Sequence, residues 1–413
     1  MLISGIVAAP GAGTYSNDDQ AAIAAGATRD GYFYDGPVLT PGYRAIRQPS
    51  ESLQILLVLD DDHVVTGAGV SVQYAGGSGR EPVLLATAAR DRWLPVLDDV
   101  LRGATLDSFR ATSALVGTLG LPRSIAYGVS QALLEGAAYA TRRTMAEVVA
   151  AEYGNAAPIG PVPILAQCGE DRHAAIDRMV LRGVESLPHG LINNAGQLVG
   201  PGGRLLMDYA GWVRDRVVAR RLDPAYEPVI HLDCYGTLGD VFGSPAQVAG
   251  FLAELSDRCA PLALRIEQPV RAPSREAQID VLRGLRTQLA ASGTPVQLVA
   301  DEWCNTHEDV LAFLDAEAAD MIQIKMPDVG SIDDTVRSVR ACHAAGVAAY
   351  CGGSCTETDL SARVATHVAM GAGADLLLAR PGMGVDEAVM VTRNEMARTL
   401  AIIEHRSARD RSQ

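Results

Sequence analysis

The sequence predicts an α/β protein in which a TIM-like (β/α) barrel follows a smaller N-terminal α+β capping domain. The chain has 413 residues, which is more than one compact core normally holds. From about residue 163 onward, short apolar runs rich in β-formers alternate with helical segments. These runs are continuously apolar rather than alternating, which is typical of parallel strands buried on both faces.

The capping domain is predicted to span residues 1–158, with the Pro- and Gly-containing segment GNAAPIGPVP as the linker. Strands followed by helices are typical of an α+β domain. The predicted elements are a first strand within MLISGIVAAPGAG, two strands within 53–74, a helix over 85–101 and a second helix from Ser124. The opening segment has no basic start and only a short apolar run, so we expect a strand there rather than a signal peptide.

The barrel is predicted to span residues 159–413. Strands that alternate with helices over this length favour a closed barrel, and a doubly wound open sheet is the alternative. The predicted strands are PILAQ (163–167), PVIHLDC (228–234), LALRIEQP (262–269), VQLVADE (296–302), MIQIKMP (321–327), VAAYCGG (347–353) and DLLLARP (375–381).

Polar residues stand at the carboxyl ends of these strands, where barrel active sites are built. They are Gln167, Asp233, Glu267, Asp301, Lys325 and the pair Ser354 and Cys355. The intervals from Asp233 to Glu267 and from Glu267 to Asp301 are both 34 residues, which is the length of one βα unit. Three carboxylates in one apolar mouth repel each other, and a hard divalent cation such as Mg²⁺ relieves that repulsion. Solvated or Arg-paired acids are the alternative reading.

Lys325 is the only lysine among the 35 basic residues of the chain. Nearby positive charge and burial favour a neutral amine, so the pKa of Lys325 is predicted to be lowered. Arginine keeps its proton at any working pH and cannot act as a base. A base beside a cation indicates removal of a proton α to a carboxylate. A lysine that only pairs with an acid is the alternative.

The net charge of −14 argues against nucleic acids and anionic membranes as partners, and no run of eighteen apolar residues could span a membrane. A small-molecule substrate fits better. Seven scattered cysteines without a CxxC pair indicate reduced thiols in a cytoplasmic protein. His231, two residues before Asp233, is predicted to pack behind the acids rather than bind a metal.

Long motifs over nearly the whole chain resemble the methylaspartate ammonia-lyase family of the enolase superfamily. They are QYAGGSGR (73–80), LPHGLINN (187–194), HLDCYGT (231–237), LRIEQP (264–269), VADEWCNT (299–306), QIKMPDVG (323–330), AYCGGSCTET (349–358) and RPGMGVDEAVM (380–390). The resemblance implies an enolase-like fold and elimination of ammonia from L-threo-3-methylaspartate to give mesaconate.

By position, the resemblance implies that Asp233, Glu267 and Asp301 hold Mg²⁺ and that Lys325 takes the C3 proton. His189 would act on the opposite face of the substrate, although on its own it would be an ordinary loop histidine. The residues implied to contact the substrate are Gln73, Gln167, Gln323, Ser354, Cys355 and Leu378. K⁺ as an activator and a homodimer are implied by the resemblance alone.

Three positions depart from the family pattern: Ser354 replaces Thr, Gln268 replaces Gly and Arg380 replaces Lys. Small changes of pocket volume change specificity by about 1–3 kcal/mol, so aspartate and alkylated or N-substituted analogues stay open as substrates. Another lyase, a racemase or a dehydratase of the superfamily is an alternative function. A Schiff-base aldolase is a second, since it also uses a lysine at a strand end, and a binding barrel without activity is a third.

Overall fold

The computed structural model describes residues 1–169 and 171–411. Its first part combines a three-stranded antiparallel sheet, a short two-stranded sheet and a set of helices. The elements are β1 (Ile3–Asp18), α1 (Gln20–Ala24), β2 (Thr28–Asp30), β3 (Phe33–Asp35), β4 (Arg47–Leu59), β5 (Val64–Val70), α2 (Ala86–Leu101), α3 (Phe109–Gly117), α4 (Arg123–Thr141) and α5 (Met145–Tyr153).

Helix α4 packs directly on strand β5, at the centre of this first part. A Cβ atom added at Gly67 would lie 2.0 Å from the carbonyl oxygen of Gly128, and one at Gly69 would lie 2.3 Å from that of Ser124. The two glycines therefore allow the helix backbone to approach the sheet. The order β1–β4–β5 and the helices α2 and α4 confirm the predicted elements of this region.

Eight parallel strands then close into a barrel, which confirms the predicted fold and shows that the open-sheet alternative is wrong. The barrel strands are β6 (Ile164–Gln167), β7 (Ser186–Leu191), β8 (Val229–Asp233), β9 (Leu264–Glu267), β10 (Val296–Ala300), β11 (Met321–Lys325), β12 (Ala348–Gly352) and β13 (Leu376–Leu378). All but β7 coincide with predicted strands.

Helices connect the barrel strands and surround them. They are α6 (Arg172–Arg182), α7 (Arg204–Arg220), α8 (Thr237–Phe242), α9 (Pro245–Cys259), α10 (Arg275–Ser292), α11 (His307–Asp315), α12 (Met326–Val329), α13 (Ile332–Ala344), α14 (Asp359–Ala372) and α15 (Val385–Arg411), with a π-helical turn at Ala195–Val199 and a 3₁₀ turn at Pro201–Gly203. Within the part of the chain that the structure describes, no helix is both long and apolar enough to cross a membrane.

Strand β7 is the element that the sequence did not reveal. Its sequence, SLPHGL, has Pro188, His189 and Gly190 in the middle and therefore no continuous apolar run. Its parallel neighbours supply the ladder instead, and the register pairs Gln167 with His189 and Leu191 with Asp233. His189 thus lies on a barrel strand, and its placement in an ordinary loop was wrong.

The register of the barrel brings the polar strand ends to one mouth. Asp233 lies opposite Glu267, Glu267 opposite Val299, and Lys325 opposite Gly352. Because parallel strands end at the same edge, their last side chains share one space.

The first part of the chain makes contacts at this mouth. The backbone N–H of Thr14 donates to the carbonyl of Thr356, and that of Gln73 donates to Ser354 Oγ at 3.1 Å. The N-terminal segment therefore covers the barrel, as predicted for a capping domain.

Candidate active site

A small cavity of about 50 Å³ lies at the barrel mouth beneath the N-terminal sheet. All eleven site residues predicted from the sequence line it: Gln73, Gln167, His189, Asp233, Glu267, Asp301, Gln323, Lys325, Ser354, Cys355 and Leu378. A larger cavity of about 780 Å³ lies elsewhere, between α3, α4 and the starts of α11 and α13, and contains none of them. We place the chemistry in the small cavity because the buried ionisable groups converge there.

Two carboxylates and one imidazole form the densest group in the cavity. One potential ligand atom each from His189, Asp233 and Glu267 lies within 4.8 Å of the other two. The Nε2 atom of His189 is 3.7 Å from Asp233 Oδ2 and 3.7 Å from Glu267 Oε2. All three side chains are largely buried, so little water screens the repulsion between the acids.

Glu267 is held by its neighbours in the ionised form. Burial by itself would raise the pKa of Glu267, but the nearby imidazoles of His189 and His231 outweigh burial and lower it below the ordinary range. His231 Nε2 is 2.8 Å from Glu267 Oε2, and Gln323 Nε2 donates to Oε1. Burial lowers the pKa of His231 to about 4, so this imidazole is neutral at pH 7. His231 lies behind Glu267, as its predicted packing role requires.

The ionised form of Asp233 is stabilised less. Burial raises its pKa well above the usual value, and the charges of Glu267, Glu302 and Asp301 raise it further. Its Oδ1 accepts the backbone N–H of Tyr235 at 3.0 Å. A positive charge placed between Asp233 and Glu267 would offset the repulsion between the two carboxylates.

Lys325 and Asp301 form an ion pair across the same cavity. The Nζ atom of Lys325 donates to Asp301 Oδ2 at 2.8 Å, and Arg80 Nη2 donates to Asp301 Oδ1 at 3.3 Å. Burial and Arg80 lower the pKa of Lys325, but Asp301 and the nearby acids outweigh them and raise it. The side chains of the site therefore raise the pKa of Lys325 instead of lowering it as predicted, because carboxylates outnumber cations around this amine.

Gln73, Ser354 and Cys355 join the N-terminal sheet to the barrel in the wall of the cavity. Gln73 Nε2 donates to Asp18 Oδ2 at 3.1 Å, and Cys355 Sγ lies 3.5 Å from Gln73 Oε1. Ser354 Oγ accepts from the Gln73 backbone and from Thr356 Oγ1 at 2.9 Å. Each of these side chains is buried and fixed by at least one partner.

Four residues that line the cavity each carry a buried polar atom with no hydrogen-bond partner among the described residues: His189 Nδ1, Gln323 Oε1, Tyr235 Oη and Arg80 Nη1. Unpaired buried polar atoms are rare, and at a cavity they are available for a ligand. Gln167 and Leu378 complete the lining at the ends of β6 and β13.

Sequence reasoning did not assign three residues that surround Asp301. Arg80 is buried and bonds Asp328 Oδ2 through Nε at 2.8 Å. Burial and the charge of Asp301 raise the pKa of Glu302 to about 8. Arg80 lies in the motif QYAGGSGR, Glu302 in VADEWCNT and Asp328 in QIKMPDVG, so the motifs were found but no role was assigned to these three residues within them.

The donor set fits a divalent cation. Asp233 and Glu267 are buried carboxylates 34 residues apart, paired in register, and burial together with the charges of nearby carboxylates raises the pKa of Asp233. Carboxylate oxygens suit Mg²⁺, whereas an imidazole suits softer metals. The structure turns the third predicted ligand, Asp301, toward Lys325 and brings His189 to the acid pair instead.

The fold and this strand-end site define a class of proteins: (β/α) barrels with an N-terminal α+β part, whose buried acids and lysine meet at the barrel mouth. Muconate lactonizing enzyme from Pseudomonas putida has the same fold, with a TM-score of 0.59 at 16% identity over 90% of this chain and 85% of that chain. At this identity the likeness concerns the fold alone.

The chain belongs to the methylaspartate ammonia-lyase family. Models described as the N-terminus and the C-terminus of methylaspartate ammonia-lyase match residues 1–154 and 157–405. The methylaspartate ammonia-lyase of Clostridium tetanomorphum is 40% identical over 98% of this chain and 100% of its own length. This chain is accordingly similar throughout to a carbon–nitrogen lyase.

Two solved structures of the family superpose closely on this chain. The Mg complex of β-methylaspartase from C. tetanomorphum has a TM-score of 0.91 at 40% identity, covering 98% of this chain and 100% of that chain. Methylaspartate ammonia-lyase from Citrobacter amalonaticus containing (2S,3S)-3-methylaspartic acid has a TM-score of 0.93 at 39% identity, with the same coverage.

Proposed function

We propose that this protein is a Mg²⁺-dependent ammonia-lyase that converts L-threo-3-methylaspartate to mesaconate. One observation carries the proposal. In the ring order β10–β11–β12–β13–β6–β7–β8–β9, the strands of Lys325 and His189 are four positions apart, on opposite sides of the barrel. A proton-transfer group therefore stands on each side of a space that contains Asp233 and Glu267.

Asp233, Glu267 and Asp301 are the residues that would hold Mg²⁺. The buried acid pair supports Asp233 and Glu267 in this role, and the C. tetanomorphum relative solved as an Mg complex supports Mg²⁺ as the cation. The place of Asp301 in the ligand set rests on the 34-residue spacing and the family resemblance. When bound, Mg²⁺ supplies positive charge that stabilises the enolate formed from the substrate carboxylate.

The chain's own groups move the proton. The Lys325 amine takes the proton from C3, and the electron pair of the C3–H bond moves onto the adjacent carboxylate to give the enolate. That pair then forms the C2=C3 double bond as the C2–N bond breaks. Its electron pair leaves with ammonia, and the proton stays on Lys325 until it passes to solvent. To act as a base, Lys325 must first leave Asp301, to which it is now hydrogen-bonded.

His189 acts on the face opposite Lys325. Its Nδ1 atom has no protein partner, so it is available to exchange a proton with the 3-epimer or to stabilise charge in the transition state. Gln73, Gln167, Gln323, Ser354, Cys355 and Leu378 contact the substrate, since all six line the cavity.

Several further features stay proposals. The acidic net charge and the lining of the cavity support a small amino-acid substrate rather than nucleic acid or a membrane surface. Seven buried free cysteines support a cytoplasmic location. Activation by K⁺ and a homodimer rest on the family resemblance, whereas the division into domains 1–158 and 159–413 rests on the Pro- and Gly-containing segment between them.

The decisive test follows mesaconate absorbance with L-threo-3-methylaspartate, with and without Mg²⁺. We expect turnover with Mg²⁺ and none after EDTA treatment. Activity that survives EDTA, together with a borohydride-trapped adduct on Lys325, would indicate a Schiff-base enzyme instead. Loss of water or inversion at one carbon, without release of ammonia, would indicate a dehydratase or a racemase.

A further inference from the structure

Arg380 is a buried cation that the proposed reaction does not use. Its side chain is 1% exposed and follows β13. Nη2 donates to the carbonyls of Cys351 at 2.9 Å and Gly352 at 2.8 Å, and Nε donates to the carbonyl of Leu378 at 3.1 Å. Arg380 thus joins the ends of β12 and β13 just beyond the last residues paired between them, Cys351 and Leu377.

Glu357 pairs with the remaining side of the Arg380 guanidinium group. Its carboxylate lies 3.0 Å from Arg380 Nη1 and accepts the backbone N–H of Ser354 at 3.0 Å. The hydroxyl of Tyr127, from helix α4 of the N-terminal part, donates to Glu357 Oε1 at 2.6 Å. One buried carboxylate therefore connects the capping helix, the end of β13 and the backbone of a predicted substrate-contacting residue.

The segment between β12 and Glu357 is shaped around this ion pair. A Cβ atom at Gly353 would lie 2.2 Å from Glu357 Oε2 and 2.6 Å from Arg380 Cζ, so any other residue would push the pair apart. The same segment carries Ser354 and Cys355 into the cavity.

We propose that Arg380, Glu357 and Tyr127 form a positioning unit that sets the location of Ser354, Cys355 and Leu378 and so determines how tightly substrate binds. This inference rests on the proposed function for the identity of the substrate. None of the three unit residues lines the cavity, so they act through the residues that do.

The contacts of Arg380 require an arginine rather than a lysine. Its planar donor array reaches three carbonyls on two strands and a carboxylate at once. An ammonium group has three donors around one nitrogen and cannot span this separation. Arg380→Lys should therefore loosen the strand ends although the charge is kept.

The first test compares Tyr127→Phe with Tyr153→Phe. Tyr153 is a matched control because its hydroxyl also donates to a carboxylate of the barrel part, Asp333 on α13, away from the small cavity. Each variant loses one such hydrogen bond, so both should lower the melting temperature similarly. Only Tyr127→Phe should raise KM for 3-methylaspartate, by about 3–10-fold, with a smaller change in kcat. Equal KM values in the two variants would overturn the proposal.

The second test needs no turnover. Cys355 is 4% exposed, and the rate at which iodoacetamide alkylates it in the native protein, followed by peptide mass spectrometry, reports the position of its segment. We expect faster alkylation in Tyr127→Phe and Arg380→Lys but not in Tyr153→Phe, with buried Cys259 as the internal reference. An unchanged Cys355 rate in Tyr127→Phe contradicts the positioning role even if Arg380→Lys fails to fold. If the parent protein does not convert methylaspartate, the proposed function fails while the alkylation result still decides this inference.

Discussion

The cavity has two walls that bury carboxylates in different ways. In the β8–β9 wall, consisting of Asp233 and Glu267, the side chains paired with the acids among the described residues are the imidazoles of His189 and His231 and the amide of Gln323. The β10–β11 wall, consisting of Asp301 and Lys325, is an ion pair that Arg80 extends. The first wall has a deficit of positive charge, whereas the acid of the second is already paired with two cations.

The difference shows how one fold assigns different tasks to similar side chains. Burial raises the pKa of Asp233, while hydrogen bonds lower that of Glu267, so the acid pair is ready for one added cation. The β10–β11 wall keeps its lysine charged until Asp301 is drawn away. Metal binding and release of the base should therefore be linked through Asp301.

The largest expected effect comes from Lys325→Arg, which keeps the charge of the β10–β11 wall and removes the base. We expect kcat to fall by about 10²–10⁴-fold, because a guanidinium cannot give up its proton. Steady-state assays of mesaconate formation measure this. Circular dichroism should show an unchanged fold, and more than a tenth of the parental kcat would contradict the assignment of Lys325 as the base.

The second prediction compares the two walls by how much a substitution in each weakens Mg²⁺ binding, measured by calorimetric titration. Glu267→Gln should weaken binding by about 100-fold and Asp301→Asn by about 10-fold, because Asp301 must first exchange its ion pairs. An unchanged titration for Asp301→Asn would remove it from the ligand set. If Asp301→Asn lost more Mg²⁺ affinity than Glu267→Gln, the proposed difference in charge between the two walls would be wrong.

A smaller effect is expected on the pH dependence of stability without metal. Asp233 and Glu302 have raised pKa values, so each binds its proton more tightly in the folded than in the unfolded protein. Their stabilisation is complete below the ordinary carboxyl pKa and is lost as the pH rises, through about 8 for Glu302. The metal-free melting temperature should therefore fall between pH 6 and pH 9.

Glu302→Gln should reduce that fall by about 2–4 °C, since it removes one ionising group. Exposed Glu308→Gln serves as the control and should leave the fall unchanged. Melting curves recorded by calorimetry at both pH values decide the point. An identical fall in the parent and in Glu302→Gln would show that this carboxyl does not ionise in the folded protein.

Much of the site could be predicted because it follows from chain order. Strands buried on both faces are continuously apolar, so a polar residue at the end of each is conspicuous, as at Asp233, Glu267 and Lys325. Parallel strands of a barrel share one mouth, which is sufficient to place these three residues together. The barrel itself was predicted for the same reason.

The remaining features depend on contacts that no local pattern contains. Strand β7 has no apolar run that would reveal it in the sequence. Pairing with its neighbours in the closed barrel, rather than its own composition, holds it in place. Arg80 reaches Asp301 from 221 positions earlier in the chain. The raised pKa of Lys325 follows from the sum of the surrounding charges, which only the three-dimensional structure supplies.

The hydrogen bonds of Thr14 bear on how this protein acquires activity. Its hydroxyl donates to the carbonyls of Cys355 and Glu357, and the second of these bonds closes a separation of 343 residues. Contacts of such separation form late in folding, because the chain entropy lost in closing the loop is large. On a ribosome, the first strand must therefore wait until nearly the whole barrel has been synthesised before the cavity is complete. Recovery of activity on refolding should accordingly lag behind the recovery of helix content.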